Sequence, residues 1–213
     1  MTKFTPQKLT TLLVLTAALG GGLSACAPMI VGGAVMGSFV ATDRRTAGTQ
    51  VEDEGIELRA ANRIRENLGE RVHVNVTSYN RQVLLTGEAP TAKDKALIEQ
   101  LVSKVENVRA IVNEIGLTGN ASLTQRTNDT ITTGRVKAGL VDAKDLFANA
   151  FKVTTDRGTV YLMGRVTQRE AKHATEIASI TPGVLKVIRV LEIISEEELQ
   201  GMMPKPAPVE VKK

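Results

Sequence analysis

Few residues in this chain could do covalent or acid–base chemistry. Its 213 residues include one cysteine, Cys26, and two histidines, His73 and His173. One cysteine cannot build a disulfide framework, and no second histidine or cysteine is placed to complete a metal site with either histidine. His73 is interpreted as a surface or helix-packing residue, and the carboxylates of residues 52–54 as a solvated charge run in a linker. We therefore expect no catalytic site, no metal and no cofactor.

Cys26 follows a sequence that is typical of an export signal. Two lysines form a basic start, and residues 9–23 form an apolar stretch that is too short to cross a bilayer. Residues 23–26 read Leu-Ser-Ala-Cys, which resembles the lipobox of bacterial lipoproteins. The resemblance implies removal of residues 1–25 and acylation of Cys26, with palmitate as the expected chain. The alternative is an ordinary signal peptide, whose removal would leave a free thiol.

The residues after Cys26 predict a tether rather than a membrane span. Position 27 is alanine and not aspartate, and by resemblance to the usual bacterial sorting rule this indicates the outer membrane. Residues 26–51 are interpreted as the lipidated cysteine and a tether rich in glycine and alanine. Gly33 and Gly37 form a GxxxG pair, which promotes helix pairing in spanning segments, but this run is too short to span. We expect the protein to face the periplasm, and a surface-exposed orientation stays open.

The rest of the chain contains a duplicated unit. The stretch Val83-Leu84-Leu85-Thr86-Gly87 aligns with Val160-Tyr161-Leu162-Met163-Gly164 at an offset of 77 residues, and the flanking matches have an offset of 76. A period this long indicates a duplicated small domain rather than a solenoid. The predicted units are residues 52–116 and 127–195, joined by a linker over 117–126. Residues 196–213 are rich in charge and proline, so we expect a disordered tail.

Both copies predict the order helix, strand, strand, helix, strand. Apolar residues four positions apart indicate the first helix, and alternating apolar residues indicate a hairpin. The predicted turns are Asn80-Arg81 and Arg157-Gly158. The predicted fold class is α+β, with two helices on one face of a three-stranded mixed sheet in each copy.

Caps and glycines add detail to this pattern. Thr91 and Thr167 each precede an acidic residue by three positions, which predicts capping boxes at the second helix of each copy. We expect Asn128 and Asp129 to cap the first helix of the second copy. Gly87 and Gly164 end matching strands, where we expect a side chain to crowd a helix.

The two copies resemble tandem BON domains. The resemblance rests on the αββαβ order, on V-x-L-x-G in the second strand of each copy, and on a closing G-V-x-x-V. The closing motif is complete at Gly183, Val184 and Val187, whereas Asn107 replaces the glycine in the first copy. Together with the lipobox, this arrangement is similar to that of dual-BON-domain outer-membrane lipoproteins. The family implies a non-enzymatic protein of the envelope that maintains its integrity and is enriched at the cell division site. It also implies binding of anionic phospholipid, chiefly through the first helix of the second domain.

The charge distribution agrees with a lipid-binding second copy. Residues 51–116 hold nine basic and eleven acidic residues, a net charge of −2, whereas residues 121–195 hold eleven basic and seven acidic residues, a net charge of +4. Each basic residue near an anionic surface contributes about 1 kcal/mol. Four net charges would recruit the domain weakly, and the lipid anchor would raise its effective concentration at the membrane.

Four residues on the first helix of the second copy form the predicted lipid site. Ile131, Arg135 and Ala138 share one face, with Lys137 beside it, and this composition suits an interfacial helix for phosphatidylglycerol-like lipid. The resemblance implies a tryptophan at position 131, which anchors at the headgroup level better than isoleucine. The alternative is a solvated helix face with one exposed apolar residue.

Two further interpretations concern the other cations and the partner. A second basic cluster around the last helix is interpreted as ordinary surface charge; its members are Arg165, Arg169, Lys172 and His173. The rival function is a protein adaptor or an assembly accessory factor for outer-membrane proteins, which contacts the membrane only through acylated Cys26. Aromatic residues make up only 3% of the chain and tryptophan is absent, which argues against nucleic acid as a partner.

Overall fold

The computed structural model describes residues 43–119 and 121–202. The predicted leader, Cys26 and the tether up to residue 42 lie outside the described residues, and so does the predicted tail after Met202. All described residues belong to one compact unit.

The first copy forms the predicted αββαβ unit. Its elements are α1 (Ala47–Leu68), β1 (His73–Tyr79), β2 (Gln82–Glu88), α2 (Ala92–Ser103) and β3 (Ala110–Asn113). Strand β2 is central, antiparallel to β1 and parallel to β3. The first helix forms because its apolar residues recur every four positions and so share one buried face; they are Ile56, Ala60, Ile64 and Leu68.

The second copy repeats this order and adds one short helix. Its elements are α3 (Leu123–Asp142), β4 (Phe151–Asp156), β5 (Thr159–Thr167), α4 (Gln168–Ile180), β6 (Lys186–Ile194) and α5 (Glu196–Met202). Strand β5 is antiparallel to β4 and parallel to β6 over nine residue pairs. The α+β class with a mixed three-stranded sheet in each copy is therefore confirmed.

Local signals explain most helix and strand ends. Thr91 and Thr167 are the N-caps of α2 and α4, and Thr167 forms a complete capping box with Glu170. The hairpin turns lie at the predicted positions, with positive φ angles at Asn80, Arg81, Arg157 and Gly158. Two left-handed residues in a two-residue turn match the twist of the flanking strands.

Each sheet is buried on both faces. One face packs against the helices of its own unit, with Val83 and Leu85 in the first core and Val160 and Leu162 in the second. The opposite faces pack against each other in a third cluster formed by Tyr79, Leu84, Tyr161, Met163 and Val190. The two sheets therefore meet face to face, with the helices outside.

Three helices extend beyond the predicted bounds of the two units, because local caps set where these helices begin. Helix α1 begins at Ala47, inside the predicted tether, after Thr46 accepts a hydrogen bond from the Thr49 amide. Helix α3 begins at Leu123, inside the predicted linker, and Ser122 rather than Asn128 or Asp129 is its N-cap. In the predicted disordered tail, residues 196–202 form α5, since Ser195 caps it and Leu199 is buried.

The glycines predicted to end the second strands lie within them, and their role differs from the predicted one. A Cβ atom on Gly87 would overlap the carbonyl oxygen of His73, and one on Gly164 would overlap the carbonyl oxygen of Ala150. The backbone therefore excludes a side chain at both positions, and a helix does not. His73 belongs to β1, and Ala150 directly precedes β4. This close approach accounts for glycine at both positions.

Candidate functional site

Helix α3 carries all four residues of the predicted lipid site. Ile131 is 47% exposed, and Arg135, Lys137 and Ala138 are also exposed. At 100° per residue, Ile131, Arg135 and Ala138 lie within about 60° of one another, whereas Lys137 lies about 120° from Ile131. The structure thus brings three of these residues to one face, and Lys137 lies off that face.

A buried aspartate fixes the inner side of α3 to the neighbouring hairpin. The Asp129 carboxylate accepts hydrogen bonds from the Arg157 amide at 2.9 Å and the Gly158 amide at 2.8 Å. Asp53 does the same in the first unit, where it accepts from the amides of the Asn80-Arg81 turn. The predicted solvated charge run at residues 52–54 is therefore wrong for Asp53, which is completely buried on α1.

The loop between α4 and β6 lies against α3 and forms a groove with it. An Arg135 guanidinium N–H donates to the Pro182 carbonyl at 3.3 Å. A Cβ atom on Gly183, whose φ is +98°, would lie 2.6 Å from Thr132 Oγ1, so the loop backbone touches the helix. The groove has a volume of about 320 Å³, and Ile131, Arg135 and Leu185 are among its lining residues.

Sequence reasoning missed Leu185. Its side chain is 84% exposed, the most of any large hydrophobic residue in the described part of the chain. The last strand begins one position later, at Lys186, so Leu185 lies in the loop before it. An apolar residue directly after the Gly-Val of the closing motif was the available signal, because that position lies in the loop.

Three exposed cations on α3 and at the start of β6 have no carboxylate partner. Arg135, Lys137 and Lys186 are exposed, and none forms a salt bridge with another residue in the ranges 43–119 and 121–202. Their charge is therefore available to an anionic ligand, apart from screening by salt.

The second basic cluster differs in this respect. Arg165 pairs with Glu192 and Glu198, whereas Arg169 and His173 both pair with Asp145. The hydrogen bond from His173, followed by the nearby positive charge, holds the pKa of Asp145 below its usual range. Acidic neighbours compensate these charges, which supports interpreting the cluster as ordinary surface charge.

The first unit provides an internal comparison for the groove. Leu185 N donates to the Gly158 carbonyl at 2.8 Å, and Arg109 N donates to the Arg81 carbonyl at the same distance. These matching hydrogen bonds place Leu185 and Arg109 at equivalent positions. With the offset of 76 residues on the helix, Ile131 and Arg135 correspond to Gly55 and Arg59.

The equivalent positions of the first unit carry neutralised charges and no apolar side chain. Arg59 forms a salt bridge with Glu52, and Arg109 forms one with Glu192 of the second unit. Gly55 offers no side chain where α3 has Ile131. At these equivalent positions, an apolar residue beside an unpaired cation is therefore present in the second copy and absent from the first.

An arginine ahead of α1 binds the second unit. The Arg44 guanidinium donates two hydrogen bonds of 2.7 Å to the Glu170 carboxylate and one of 2.8 Å to the Arg165 carbonyl. The two side chains are only 5% and 1% exposed. Burial alone would raise the pKa of Glu170, but Arg44 and the Thr167 amide hold it below its usual range. This pair links the segment before the first unit to the capping box of α4.

The remaining titratable groups at the boundary between the units are structural. His73 contacts the buried Glu88 at 3.1 Å, and Arg157 of the second unit pairs with the same carboxylate.

Across residues 43–119 and 121–202, no group of three or more His, Cys, Asp or Glu side chains is arranged to hold a metal ion. Within the same ranges, no helix is both long and apolar enough to span a bilayer.

Two αββαβ units with this topology define a protein built from a duplicated small α+β domain. The sequence matches the BON domain family over residues 53–119 and 128–195, and the chain belongs to that family. The chain is 35% identical over 190 residues to the outer membrane lipoprotein DolP of Haemophilus influenzae. The aligned region covers 88% of this chain and 96% of that protein.

Two other proteins are similar to this chain. The 21 kDa hemolysin of Actinobacillus pleuropneumoniae is 36% identical over 154 residues, which covers 71% of this chain and 79% of the hemolysin. A solved structure of CdsD, a structural protein of the type III secretion system of Chlamydia trachomatis, matches 74% of this chain and 99% of that chain. Its identity is 14% and its TM-score is 0.28, which is too low for a comparison of function.

Proposed function

We propose that this protein is an outer-membrane lipoprotein, anchored by acylated Cys26, whose second BON domain binds anionic phospholipid through Ile131, Arg135, Lys137 and Ala138. Its role is to maintain envelope integrity, with enrichment at the cell division site, and it acts by binding rather than by catalysis. The likeness to an outer membrane lipoprotein over 88% of the chain supports this location. The lipobox-like sequence before Cys26 supports the anchor.

One observation carries the lipid assignment: an exposed apolar residue lies between cations without carboxylate partners on a helix whose other face is buried. Ile131 and Arg135 line the same groove. Such a helix can lie in the headgroup region, with its apolar side chain at the acyl boundary and its cations near phosphate groups. The paired cations at the equivalent positions of the first unit favour the second unit as the docking domain.

The expected affinity of this face is low. Burying an isoleucine completely is worth about 1.5–3 kcal/mol, and Ile131 is half-exposed, so about 1 kcal/mol is available from it. Arg135 and Lys137 add about 1 kcal/mol each near an anionic surface. About 3 kcal/mol cannot hold a protein on a membrane, so the acyl chains would retain it and the helix would orient the domain.

The test uses residues 27–213, which contain every described residue and lack Cys26. This protein is mixed with phosphatidylcholine vesicles that contain or lack phosphatidylglycerol, at about 10 mM lipid, because about 3 kcal/mol corresponds to a Kd of about 6 mM. The bound fraction is measured by sedimentation at low and high salt. We expect binding only to anionic vesicles, weakened by salt, and about tenfold weaker for Arg135→Glu. Lys172→Glu is the matched control, because it makes the same charge change on α4 at a residue that already neighbours Glu176.

Equal loss of binding in both charge variants would mean that only net charge matters and would contradict docking through α3. No binding to any vesicle would refute the lipid assignment. The membrane contact would then be restricted to Cys26, and the adaptor function would become the better explanation.

A further inference from the structure

We propose that the α4–β6 loop is a second membrane-contact element and that Leu185 inserts into the anionic bilayer beside Ile131. This inference rests on the proposed function and extends its site from one helix to two separate elements of the second domain. It adds a residue that lies outside the helix.

The loop holds Leu185 in a fixed position. Leu185 N donates to the Gly158 carbonyl at 2.8 Å, and Val184 N donates to the Thr181 carbonyl at 3.1 Å. A Cβ atom on Gly158 would lie 2.8 Å from Leu185 Cγ and 2.9 Å from its Cδ1, so one edge of the leucine side chain lies over that glycine while most of the side chain is exposed. Because these hydrogen bonds already fix the loop backbone, the loop loses little backbone entropy when Leu185 enters a membrane.

The loop and α3 form one surface. Ile131 and Leu185 line the same groove, and the hydrogen bond from Arg135 to the Pro182 carbonyl joins the helix to the loop. Gly183 allows this approach, because any side chain there would meet Thr132. An apolar residue on each side of the groove restricts the tilt of the domain, which a single helical contact would leave open.

The charges around Leu185 favour an anionic bilayer as its partner. Arg135 lies in the same groove and Lys186 follows Leu185 in sequence, and both are exposed. Apolar side chains beside cations that have no carboxylate partner suit the boundary between acyl chains and anionic headgroups. The equivalent residue of the first unit, Arg109, is paired with Glu192, so the scaffold itself does not require an exposed leucine here.

Leu185 also compensates for the presence of isoleucine at position 131, where the family resemblance implies a tryptophan. Isoleucine is a weaker interfacial anchor than tryptophan. A second aliphatic side chain raises the apolar area that enters the bilayer without an aromatic ring. Two aliphatic contacts in this chain would replace one aromatic contact.

The chain contains no tryptophan, so a single introduced tryptophan reports on its own surroundings. The variants Leu185→Trp, Ile131→Trp and Leu58→Trp are made in residues 27–213; Leu58 is 64% exposed on α1 and serves as the control. Each is mixed with phosphatidylglycerol vesicles, with and without brominated acyl chains that quench tryptophan on contact. We expect a blue shift and quenching for the tryptophans at 185 and 131 and neither change at 58.

A serine variant tests whether the native leucine contributes to binding. Leu185→Ser should weaken binding to phosphatidylglycerol vesicles about tenfold, since a buried leucine side chain is worth at least that factor. Leu58→Ser should bind as the parent does. Thermal unfolding of each variant verifies that the fold is retained.

The outcomes separate this inference from the proposed function. Quenching at 131 without quenching at 185, together with unchanged binding of Leu185→Ser, would overturn the role of the loop and leave helix α3 as the lipid site. Absence of vesicle binding by the parent protein and all variants would overturn both. Weaker binding of Leu185→Ser with quenching at both positions supports the two-element surface.

Discussion

Replacing Arg44 by methionine would leave a buried carboxylate without its partner. Arg44 donates two 2.7 Å hydrogen bonds to Glu170, and both side chains are almost completely buried. Methionine replaces the aliphatic part of the arginine side chain and supplies neither the charge nor the N–H donors. Because Arg44 precedes α1 and Glu170 lies on α4, the substitution removes a contact between the start of one unit and the second helix of the other.

The expected loss of stability is about 3 kcal/mol. Removing one partner of a buried ion pair costs about 3–5 kcal/mol, because the remaining charge stays desolvated. The lower end applies here, since Glu170 keeps its 2.9 Å hydrogen bond from the Thr167 amide. In Arg44→Met/Glu170→Gln no unpaired charge remains, and glutamine can still accept from that amide. We therefore expect the double variant to recover most of the loss.

The assay is urea unfolding of residues 27–213, followed by circular dichroism, for the parent protein and the three variants of a double-mutant cycle. We expect Arg44→Met and Glu170→Gln each to lower the free energy of unfolding and the double variant to lie close to the parent. A loss below about 1 kcal/mol for Arg44→Met would refute the reasoning, because the buried carboxylate would then not depend on Arg44.

The effect of Arg44→Met should also depend on pH. The pKa of Glu170 in the folded protein is lowered, with burial opposed by Arg44 and the Thr167 amide. Because the pKa of Glu170 is lower in the folded than in the unfolded protein, the ionised carboxylate stabilises the fold. This stabilisation is fully present above the pKa of an unfolded glutamate, about 4.3, and is lost as the pH falls through the pKa of Glu170 in the folded protein. Without Arg44, burial is opposed mainly by the Thr167 amide, so the difference between the parent and Arg44→Met should begin to shrink above about pH 4 and should disappear below the folded pKa of the parent. A difference that stayed constant would show that Glu170 is not the cause.

Two carboxylates at other sites should respond in opposite directions. Asp53 accepts hydrogen bonds from four groups: the Ser78 hydroxyl, the Asn80 and Arg81 amides and the Arg45 side chain. We therefore expect Asp53→Asn to lower the free energy of unfolding, measured in urea, by about 2–4 kcal/mol. A loss below about 0.5 kcal/mol would contradict this. Burial, then Glu88 and Asp129, raise the pKa of Asp156, although Gly87 N and Arg157 oppose them. Because the charged form is disfavoured in the folded state, Asp156→Asn should raise stability at pH 7 by less than about 1 kcal/mol. This gain should vanish below about pH 4, where Asp156 is protonated in both states, and a gain that persisted there would rule out charge as its origin.

The face-to-face packing of the sheets shows where periodicity is informative and where it is not. Alternating residues such as Val83 and Leu85 predict one buried face, and that face does pack on the helices. The residues between them in β2 and β5, namely Leu84, Tyr161 and Met163, are also apolar. A continuous apolar run is typical of a strand buried on both faces, so the second face could be predicted. The surface that covers this second face could not be predicted, because it is the sheet of the other copy.

The buried carboxylates were harder to predict because their partners are backbone groups. Asp53 and Asp129 differ by 76 residues, which is the offset of the flanking matches, and each accepts amide hydrogen bonds from the turn of its own hairpin. The type of a turn residue carries no information about which side chain its amide will meet. The equivalence of the two positions in the repeat was the only available signal, and it indicates a shared role rather than the role itself.

The candidate site depends on which cations lack partners rather than on net charge. The sequence predicts a charge of +4 for the second copy, and a positive unit is attracted to an anionic membrane over long distances. Arg165 contributes to that charge as much as Arg135 does, yet two glutamates neutralise it, and one of them lies on α5, where a disordered tail was expected. Arg59, at the position equivalent to Arg135, is likewise paired. A docking surface therefore requires cations that remain unpaired next to an exposed apolar residue, and only the folded chain determines those pairs.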